Sequence, residues 1–325
     1  MTVHISILIP CFNAEKWIAQ SIESALAQTW PDKEVIVLDD GSTDGSLDII
    51  RRFEGLIRWE TGPNRGGGAA RDRLLTLARG EWLQYLDADD VLLPEKIARQ
   101  VEFLERHPDC DIVCSPTIEE YMKDGRLVQV EKRFPEPLDP WILLALWHLP
   151  QTGGPLWRRA ALQRVGGWRV GQPCCQEHEL YFRLLEGGCR FEICDSCLAV
   201  YRNWNHGRRV TIELHNEVVR QRILIFDRIE KCLRERRELT PQRHRAVNDA
   251  RHALARGAWS YDRDFSLNIV RRIIESDPSY CPSVGPASPT TYRLIYRLLG
   301  FRGAEYVAQS KRALEWVLLG KGAQV

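Results

Sequence analysis

Short apolar stretches alternate with amphipathic helical stretches through the first 115 residues, and this alternation limits the fold of the chain more than any other feature. Residues 14–28, 64–78 and 94–107 carry apolar side chains at helical spacing. The apolar stretches between them have the character of buried strands; they are ISILIP (5–10), EVIVLDD (34–40), LIRWE (56–60), EWLQYLDADD (81–90) and DIVCS (111–115). Strands and helices in this order predict an α/β fold with a doubly wound, largely parallel sheet.

The rest of the chain changes character twice. Between 116 and 210, strand-like and helical stretches are mixed, and they lie at 126–134, 177–188 and 197–204. Beyond residue 210 the strand signals stop, and helical stretches follow at 211–238, 241–257, 260–276 and 303–319. We therefore predict one domain over 1–210, made of the halves 1–115 and 116–210, and a helical region over 211–325.

Charge is divided unevenly along the chain. Residues 1–200 contain 22 Lys and Arg against 31 Asp and Glu, whereas residues 201–325 contain 23 against 13. The net charge of the whole chain is only +1, which gives no reason to expect a nucleic-acid partner. The excess of basic residues in the C-terminal part could bind another partner. Alternatively, these residues could simply lie on solvent-exposed helix faces.

The sequence lacks the usual signals of export or membrane insertion. Its longest apolar stretch, near WILLALW (141–147), is far shorter than the roughly 20 residues that a helix needs to cross a bilayer. The N-terminus has neither a charged segment nor a small-residue cleavage site, so it is unlike a signal peptide. We expect a cytoplasmic location in which the ten cysteines stay reduced.

Carboxylates follow two of the predicted strands where each strand ends. Asp39 and Asp40 end one strand, and the stretch YLDADD places Asp87, Asp89 and Asp90 at the end of another. Parallel strands end at the same edge of a sheet, so these five carboxylates should lie close together. Their mutual repulsion favours a divalent cation, and hard cations such as Mg²⁺ and Mn²⁺ prefer carboxylate oxygen. Alternatively, these aspartates could serve in turn formation and helix capping, which explains the aspartates at one strand end more easily than those at both.

The same edge offers groups that suit a phosphate. A first helix that begins near Asn13 or Ala14 would direct backbone N–H groups at a ligand. Arg65 and Arg71 flank the run GGGAA, and arginine pairs well with phosphate. The glycine run is neither G-x-G-x-x-G nor a Walker A motif, which argues against a dinucleotide oxidoreductase and a P-loop ATPase.

These motifs together resemble the family 2 inverting glycosyltransferases. The resemblance covers about residues 4–205 and rests on the strand end ISILIPCFN, the motif DDGSTD, the stretch NRGGGAAR and the DxD-type LDADD. It implies the GT-A fold, which is a Rossmann-like, mostly parallel sheet flanked by helices. It also implies a nucleotide-diphospho-sugar donor, usually a UDP-sugar, with Mn²⁺ or Mg²⁺ as cofactor. The sugar would pass to a hydroxyl of a glycan or of a lipid-linked acceptor.

The resemblance assigns roles to individual residues. Asp40, with Asp39 beside it, corresponds to the aspartate that hydrogen-bonds the base, and Arg71 to an arginine that contacts the nucleotide. Asp89 is the expected metal ligand and Asp87 the contact to ribose or metal, while Asp90 matches a further aspartate that is often present. The start of the donor site corresponds to Pro10, Cys11, Phe12, Asn13 and Glu15, and the DxD element to Asp87, Ala88 and Asp89.

Inverting transfer also needs a general base, which relatives place at the start of a helix in a Glu-Asp-x-Asp/Glu-Leu pattern. The matching stretch here is QEHELYFRLL. The base position falls on Glu177, and Gln176 replaces the preceding acid, which is a departure from the common pattern. Glu179 is the rival carboxylate. Both could instead be ordinary first-turn acids that complement the helix dipole.

Two further segments resemble parts of the family site. Residues 152–168 are similar to the acceptor-side segment, where Trp157 or Trp168 could stack on a sugar ring, although core packing is the commoner fate of tryptophan. Residues 201–209 lie where many members carry a His near the metal or the diphosphate. That His usually stands two positions earlier, but His206 is the candidate here, and Arg202 could touch the diphosphate.

The C-terminal helical region resembles no family that we can assign. Its stretch TYRLIYRLLGFRGAEYVAQSKR (291–312) mixes aromatic, leucine and arginine residues. Such a helix could lie on an anionic membrane surface, where a lipid-linked acceptor would be found. The protein would then work at the inner face of the cell membrane. Packing against the rest of the chain, or against a second subunit in a homodimer, is the alternative.

Two other functions stay open at this point. A sugar nucleotidyltransferase of the same fold also needs a metal and aspartates, but it favours a Gly-rich signature with a Lys near the N-terminus, which IPCFNAEKW lacks. A non-catalytic protein that binds nucleotide sugars or serves as a scaffold is the second alternative, and the variation in QEHE leaves room for it.

Overall fold

The structure, a computed structural model, describes residues 3–203, 215–285 and 287–319. The chain separates into two compact units, Met1–Ile225 and Phe226–Val325. The strands are β1 (Ile5–Cys11), β2 (Lys33–Asp39), β3 (Arg58–Thr61), β4 (Trp82–Tyr85), β5 (Val91–Leu92), β6 (Ile112–Cys114), β7 (Thr117–Lys123), β8 (Arg126–Lys132), β9 (Leu156–Arg158), β10 (Phe191–Ile193) and β11 (Ala199–Arg202). The helices are α1 (Ile18–Leu26), α2 (Ser46–Arg51), α3 (Gly67–Leu77), α4 (Lys96–Arg106), α5 (Pro140–Ala145), α6 (Arg159–Arg164), α7 (Gln176–Glu186), α8 (His215–Glu235), α9 (Pro241–Ala258), α10 (Arg263–Ser276) and α11 (Thr290–Leu319).

The first unit is organised around a seven-stranded sheet in the order β10-β6-β9-β4-β1-β2-β3. β1 pairs in parallel with β2 and with β4, and β2 pairs in parallel with β3. β9 runs antiparallel between β4 and β6, and no sequence pattern predicts it, because three residues are too short to show a period. The predicted fold, a mostly parallel sheet flanked by helices, is confirmed.

Burial explains why these segments form the centre of the fold. β1 is apolar throughout because both of its faces are covered, and Ile5, Ile7 and Ile9 are fully buried. α4 turns Ile97 and Val101 into the same core, as its helical spacing predicts. This packing gives the loops at the strand ends a rigid support.

A second, four-stranded sheet has the order β5-β11-β7-β8. β5 directly follows the YLDADD stretch and pairs antiparallel with β11, which pairs in parallel with β7. β8 forms a hairpin with β7. The strands predicted at 126–134 and 197–204 correspond to β8 and β11, whereas β7 was missed because Glu119, Glu120 and Lys123 interrupt its apolar pattern. This sheet ties the aspartate motif to the segment around Arg202.

The first helix begins later than we expected. α1 starts at Ile18 and not near Asn13 or Ala14. Asn13 has a left-handed backbone with a φ of 50°, and its N–H donates to Ser42 Oγ at 3.0 Å. The N–H of Ala14 donates to Ser46 Oγ at 2.8 Å. These N–H groups already have protein partners, so the phosphate-binding helix start that we expected here is absent from this turn.

The second unit is helical in its described part, as predicted for the C-terminal region. α9 begins at a cap in which Thr240 Oγ1 accepts from the N–H of Arg243 at 3.2 Å. Arg251 lies buried in this unit, where it pairs with Asp227 at 2.7 Å and with Glu230. Across residues 3–203, 215–285 and 287–319, no helix is long and apolar enough to cross a membrane.

An aromatic cluster surrounds His252 inside the second unit. The imidazole is buried, and neither ring nitrogen has a hydrogen-bond partner among the described residues. Burial, with a smaller effect from the charge of Arg256, lowers the pKa of His252 to about 3. The folded unit therefore holds this histidine neutral. The rings around it, with centroids 5.5–5.9 Å away, are Tyr280, Tyr292, Tyr296 and Phe301.

We expect His252→Phe to make the second unit less sensitive to acid. The unfolded chain binds a proton near the ordinary histidine pKa of about 6.5, whereas the folded unit does not, so stability is complete above that pH and falls as the pH drops toward 3. Between pH 7 and pH 5 this group should cost the wild type about 2 kcal/mol in the free energy of unfolding. Phenylalanine suits an aromatic cluster and does not titrate. Urea unfolding at both pH values measures the difference, and an equal loss in both proteins contradicts the prediction.

Candidate active site

The loops that follow β1, β2 and β4 leave the main sheet at one edge. β1 and β2 pair as far as Cys11 and Asp39, and β4 ends at Tyr85. Because the three strands are parallel neighbours, their carboxyl ends meet at this edge. Most of the residues singled out from the sequence lie at the ends of these strands or on these loops.

The end of β1 presents one exposed aromatic ring. Phe12 has 50% of its surface exposed, whereas Cys11 is buried and Pro10 is partly buried. Burial raises the pKa of Cys11 to about 12, so its thiol stays protonated and unreactive. Of these three residues, Phe12 offers a surface on which a flat ring could stack.

Hydrogen bonds join the turn after β1 to the loop after β2. Asn13 Oδ1 accepts from the N–H of Thr43 at 2.8 Å. Glu15 Oε2 accepts from the N–H of Gly45 at 2.9 Å, and the N–H of Glu15 donates to Asp44 Oδ2 at 3.1 Å. Asn13 and Glu15 therefore shape this side of the edge through contacts within the protein.

The two aspartates at the end of β2 are both buried. Asp39 Oδ2 accepts from the hydroxyl of Thr61 at 2.7 Å. Asp40 holds the loop before α3, because its two oxygens accept from the N–H groups of Arg65 and Gly66, each at 2.9 Å. A carboxylate oxygen can accept more than one hydrogen bond, so Asp40 can order this loop and still accept from a ligand.

The aspartates of YLDADD differ in their surroundings. Asp89 is exposed, and Asp87 is partly buried with Oδ1 2.6 Å from Arg71 Nη2. Asp90 is buried and accepts from the N–H of Arg202 at 2.9 Å. Burial, followed by repulsion from Asp89 and Asp87, raises the pKa of Asp90 well above its usual range. Asp90 therefore ties the motif to β11, while Asp89 faces the solvent.

Arg71 joins the aspartate motif to α7. Its Nη2 contacts Asp87 at 2.6 Å, and its Nη1 donates to Gln176 Oε1 at 2.7 Å. The same Nη2 lies 3.8 Å from Glu177 Oε1. Burial alone would lower the pKa of Arg71, but the charges of Asp87 and Glu177 raise it, so the guanidinium stays charged. One cation thus brings together two carboxylates that are far apart in sequence.

Glu177 is held from a second side by Thr152. The Thr152 hydroxyl, which is fully buried, donates to Glu177 Oε1 at 2.7 Å. Glu177 stands in the first turn of α7, two residues after Cys175, whose backbone is left-handed with a φ of 56°. Because Oε1 has Thr152 and Arg71 as neighbours, Oε2 is the oxygen that we expect to take part in chemistry.

Glu179, the rival carboxylate, belongs to a buried ion-pair group. Its side chain is almost fully buried, and Oε2 lies 2.8 Å from Arg183 Nε. Oε1 lies 3.3 Å from Arg169 Nη1. Glu179 therefore neutralises the charges of Arg183 and Arg169. Because Glu179 is buried in these ion pairs, Glu177 is the better candidate for the reacting carboxylate.

Trp157 and Ala88 lie in the core. Trp157 is fully buried in β9 and packs against Trp168 and Tyr181, with ring centroids 6.4 and 5.1 Å apart. Neither face of its ring is open to a sugar, so core packing replaces the stacking hypothesis for Trp157. Ala88 contributes its methyl group to the core beneath the aspartate motif.

Arg202 lies beside the aspartate motif, whereas His206 falls outside the described residues. Arg202 Nη1 is 3.5 Å from the backbone oxygen of Asp89, and its Nε is 3.6 Å from Glu120 Oε1. Its guanidinium also lies 5.7 Å from the centre of the Trp17 ring. The cationic guanidinium of Arg202 therefore lies next to the aspartate motif. The role of His206 as a metal ligand stays a prediction.

The carboxylates that suit a divalent cation are Asp89 and Asp87. In the described part of the chain, no group of three or more His, Cys, Asp or Glu side chains is arranged to hold a metal. Mg²⁺ commonly uses only one or two protein carboxylates and takes its other ligands from substrate phosphates and water. The exposed carboxylate of Asp89 fits that arrangement, in which the ion arrives together with a diphosphate.

Sequence reasoning missed the contributions of Thr152 and Gln176. Thr152 is 25 residues from its partner Glu177, and no local pattern reveals a contact over that distance. Gln176 was recognised only as a departure from an acidic pattern. In the structure it accepts from Arg71 without adding a third negative charge. Their positions in the sequence were the available signals: Thr152 lies in the segment that resembles the family's acceptor side, and Gln176 directly precedes Glu177, the candidate base.

Comparison with known proteins identifies the family. The family model described as Glycosyl transferase family 2 matches residues 6–164. The putative glycosyltransferase EpsE of Bacillus subtilis (strain 168) is 34% identical over 196 residues, which are 57% of this chain and 68% of EpsE. The chain belongs to glycosyltransferase family 2. The family predicted from the motifs is confirmed, and it is a family of glycosyltransferases.

Two further comparisons, one with a curated relative and one with a solved structure, cover different shares of this family 2 chain. The UDP-Glc:alpha-D-GlcNAc-diphosphoundecaprenol beta-1,3-glucosyltransferase WfaP of Escherichia coli is 36% identical over 103 residues, 31% of this chain and 41% of WfaP. The chain spans about half the length of the first curated relatives that it matches, 57% of one and 41% of another. TarS 1–349 of S. aureus in complex with UDP-GlcNAc superposes with a TM-score of 0.61 at 18% identity, over 95% of this chain and 92% of that chain. This likeness confirms the GT-A fold.

Proposed function

We propose that this chain transfers a sugar from a nucleotide-diphospho-sugar to an acceptor hydroxyl, with inversion at the anomeric carbon. The observation that carries the proposal is the junction at Arg71, which contacts Asp87 of the DxD motif at 2.6 Å and lies 3.8 Å from Glu177. The carboxylates that we assign to donor binding and to the base therefore lie within reach of one side chain. A single displacement needs this proximity, because donor and acceptor must meet in the same site.

The donor is proposed to bind along the loops after β1, β2 and β4. Phe12 offers a ring for stacking on the base, and Asp40 offers a carboxylate for hydrogen bonding to it. Asp39, Asn13 and Glu15 shape the surrounding loops. The name of WfaP includes UDP-Glc and TarS was solved with UDP-GlcNAc, and these relatives support a UDP-sugar as donor.

A divalent cation is proposed to bind with the donor. Asp89, with Asp87 beside it, would hold Mn²⁺ or Mg²⁺, and His206 stays a candidate for a further ligand. When bound, the ion supplies positive charge against the negative charge that develops on the leaving diphosphate. Arg71 is a second, permanent cation near Asp87, and it limits the repulsion that this carboxylate feels from a diphosphate.

Glu177 is the proposed general base. Its Oε2 takes the proton of the acceptor hydroxyl while the hydroxyl oxygen forms a bond to the anomeric carbon. The bond between that carbon and the diphosphate oxygen breaks, and its electron pair leaves with the nucleoside diphosphate. Thr152 and Arg71 meanwhile hold Oε1, and this contact keeps the carboxylate in one orientation.

The acceptor is proposed to be a glycan or a lipid-linked saccharide. The name of WfaP describes a saccharide on diphosphoundecaprenol as its acceptor, and this supports a lipid-linked acceptor for the present chain. We expect such an acceptor to bring the enzyme to the inner face of the cell membrane.

Replacing Thr152 by valine should slow turnover by roughly 10- to 100-fold, because a hydrogen bond to a charged group is worth roughly 1.5–3 kcal/mol. Valine has the same shape but cannot donate to Glu177 Oε1, so the base loses its fixed orientation. The KM for the donor should stay unchanged, since Thr152 lies on the side of the base. Thr152→Ser keeps the hydroxyl and should restore most of the turnover. Steady-state kinetics of the three proteins test this, and equal turnover of the valine variant and the wild type contradicts it.

A thermal-shift screen of nucleotide sugars, with and without Mn²⁺, tests the proposed donor site. A ligand that binds only the folded state raises the melting temperature by mass action. We expect a UDP-sugar to give the largest shift, and we expect Mn²⁺ to increase it. If no nucleotide sugar raises the melting temperature under either condition, the donor proposal is wrong.

A further inference from the structure

A break in α11 leaves apolar side chains exposed at a corner of the second unit. The helix is interrupted at Gly300, whose φ is 65°. Leu298 and Leu299, which directly precede the break, are 82% and 61% exposed. Leu294 stands one turn before Leu298 on the same face and is 55% exposed. The set that we call the Leu298 corner comprises Leu294, Arg297, Leu298, Leu299 and Arg302.

The other face of the same helical turn explains why these leucines point outward. Tyr292 and Tyr296 are buried, and both rings contact His252 inside the unit. The turn is therefore fixed by its buried side, and Leu294 and Leu298 cannot reach the interior. Neighbouring exposed apolar side chains of this size are uncommon on a soluble surface without a binding role.

The charge around the leucines has one sign. From Pro278 to Ala304 the sequence contains three arginines and no acidic residue. Arg297 and Arg302 are exposed, and neither forms an ion pair with a carboxylate in the part of the chain that the structure describes. The first acid that follows, Glu305, is buried and pairs with Arg256. Among the residues that the structure describes, no carboxylate neutralises the positive charge of the corner.

We propose that the Leu298 corner docks on the surface of an anionic lipid bilayer. Exposed leucines can enter the boundary between headgroups and acyl chains, and flanking arginines then meet the lipid phosphates. Apolar side chains alone would equally suit a protein partner, but uncompensated positive charge around them favours an anionic surface. This inference is independent of the proposed transfer, because it concerns only the second unit.

Vesicle co-sedimentation of the full chain tests the docking proposal. We expect the wild type to bind vesicles of phosphatidylcholine mixed with phosphatidylglycerol at low salt, and to bind vesicles of phosphatidylcholine alone far more weakly. High salt should release it, because screening weakens the contribution of the arginines. The double variant Arg297→Gln/Arg302→Gln should lose roughly 10- to 30-fold in vesicle affinity. Leu298→Gln/Leu299→Gln should lose binding at low salt as well.

The matched control lies on α10 of the same unit. Arg271 and Ile274 are also exposed, so Arg271→Gln/Ile274→Gln removes the same kinds of side chain elsewhere and should bind vesicles like the wild type. Circular dichroism verifies that each variant is folded, and light scattering reports its oligomeric state. The proposal is overturned if the wild type binds no anionic vesicle, or if the control loses as much affinity as the corner variants. It is also overturned if folded corner variants bind vesicles like the wild type, or if their only effect is to dissociate an oligomer.

Discussion

Glu177→Gln should abolish sugar transfer and leave the donor site intact. A positioned general base contributes roughly 10²- to 10⁴-fold to a rate, so we expect turnover to fall by about 10³-fold. The glutamine amide oxygen can still accept from Thr152, but it cannot take a proton from the acceptor. Release of nucleoside diphosphate measures turnover, and the thermal shift with the donor measures binding.

Two substitutions on the same helix serve as controls for Glu177→Gln. Glu179→Gln should lower the free energy of unfolding by about 3 kcal/mol, because it leaves the charge of Arg183 uncompensated in a largely buried place. Its folded fraction should still turn over. Glu186→Gln, at the exposed end of α7, should change neither property. Undiminished turnover of Glu177→Gln, or a folded but inactive Glu179→Gln, contradicts the assignment of the base.

Asp89→Asn should remove most of the activity that depends on a divalent cation. Losing one preorganised electrostatic contact to the transition state commonly costs about 10²- to 10³-fold in turnover, and we expect a loss of that size here. The fold should be unaffected because Asp89 is exposed. The expected signature is that Mn²⁺ no longer increases the thermal shift produced by the donor.

Asp48→Asn is the matched control for Asp89→Asn. Asp48 is an exposed aspartate on α2, and its carboxylate lies 3.1 Å from Arg51. This control should retain the activity and the Mn²⁺ response of the wild type. If Asp89→Asn also keeps both, the proposed cation site is wrong, and the charge on the diphosphate must be met by other groups such as Arg71 and Arg202.

The sequence alone predicts the parallel strands of the main sheet and the proposed donor side of the candidate site. Continuous apolar strands such as ISILIP are recognisable because both of their faces are buried. Parallel strands then place their carboxyl ends at one edge, so Asp39, Asp40 and the aspartates of YLDADD could be expected together without coordinates. The order of the motifs was enough to predict the family, and comparison with known proteins confirms that prediction.

Contacts between distant segments are the part that the sequence does not reveal. β9 has three residues and is recognisable only through its partners β4 and β6, and the burial of Trp157 follows from it. The late start of α1 depends on hydrogen bonds that the N–H groups of Asn13 and Ala14 donate to Ser42 and Ser46 across the edge. Thr152 reaches Glu177 from another segment. Such features depend on the whole fold and not on local pattern.

The most direct test of this account is release of nucleoside diphosphate from the nucleotide sugar that gives the largest thermal shift, measured with Mn²⁺ for the wild type and for Glu177→Gln. We predict that both proteins bind the donor equally well, and that the wild type releases nucleoside diphosphate about 10³-fold faster. If the wild type binds the donor and releases nothing in the presence of acceptor-containing membranes, the account is contradicted, and the chain is a nucleotide-sugar-binding protein without transferase activity.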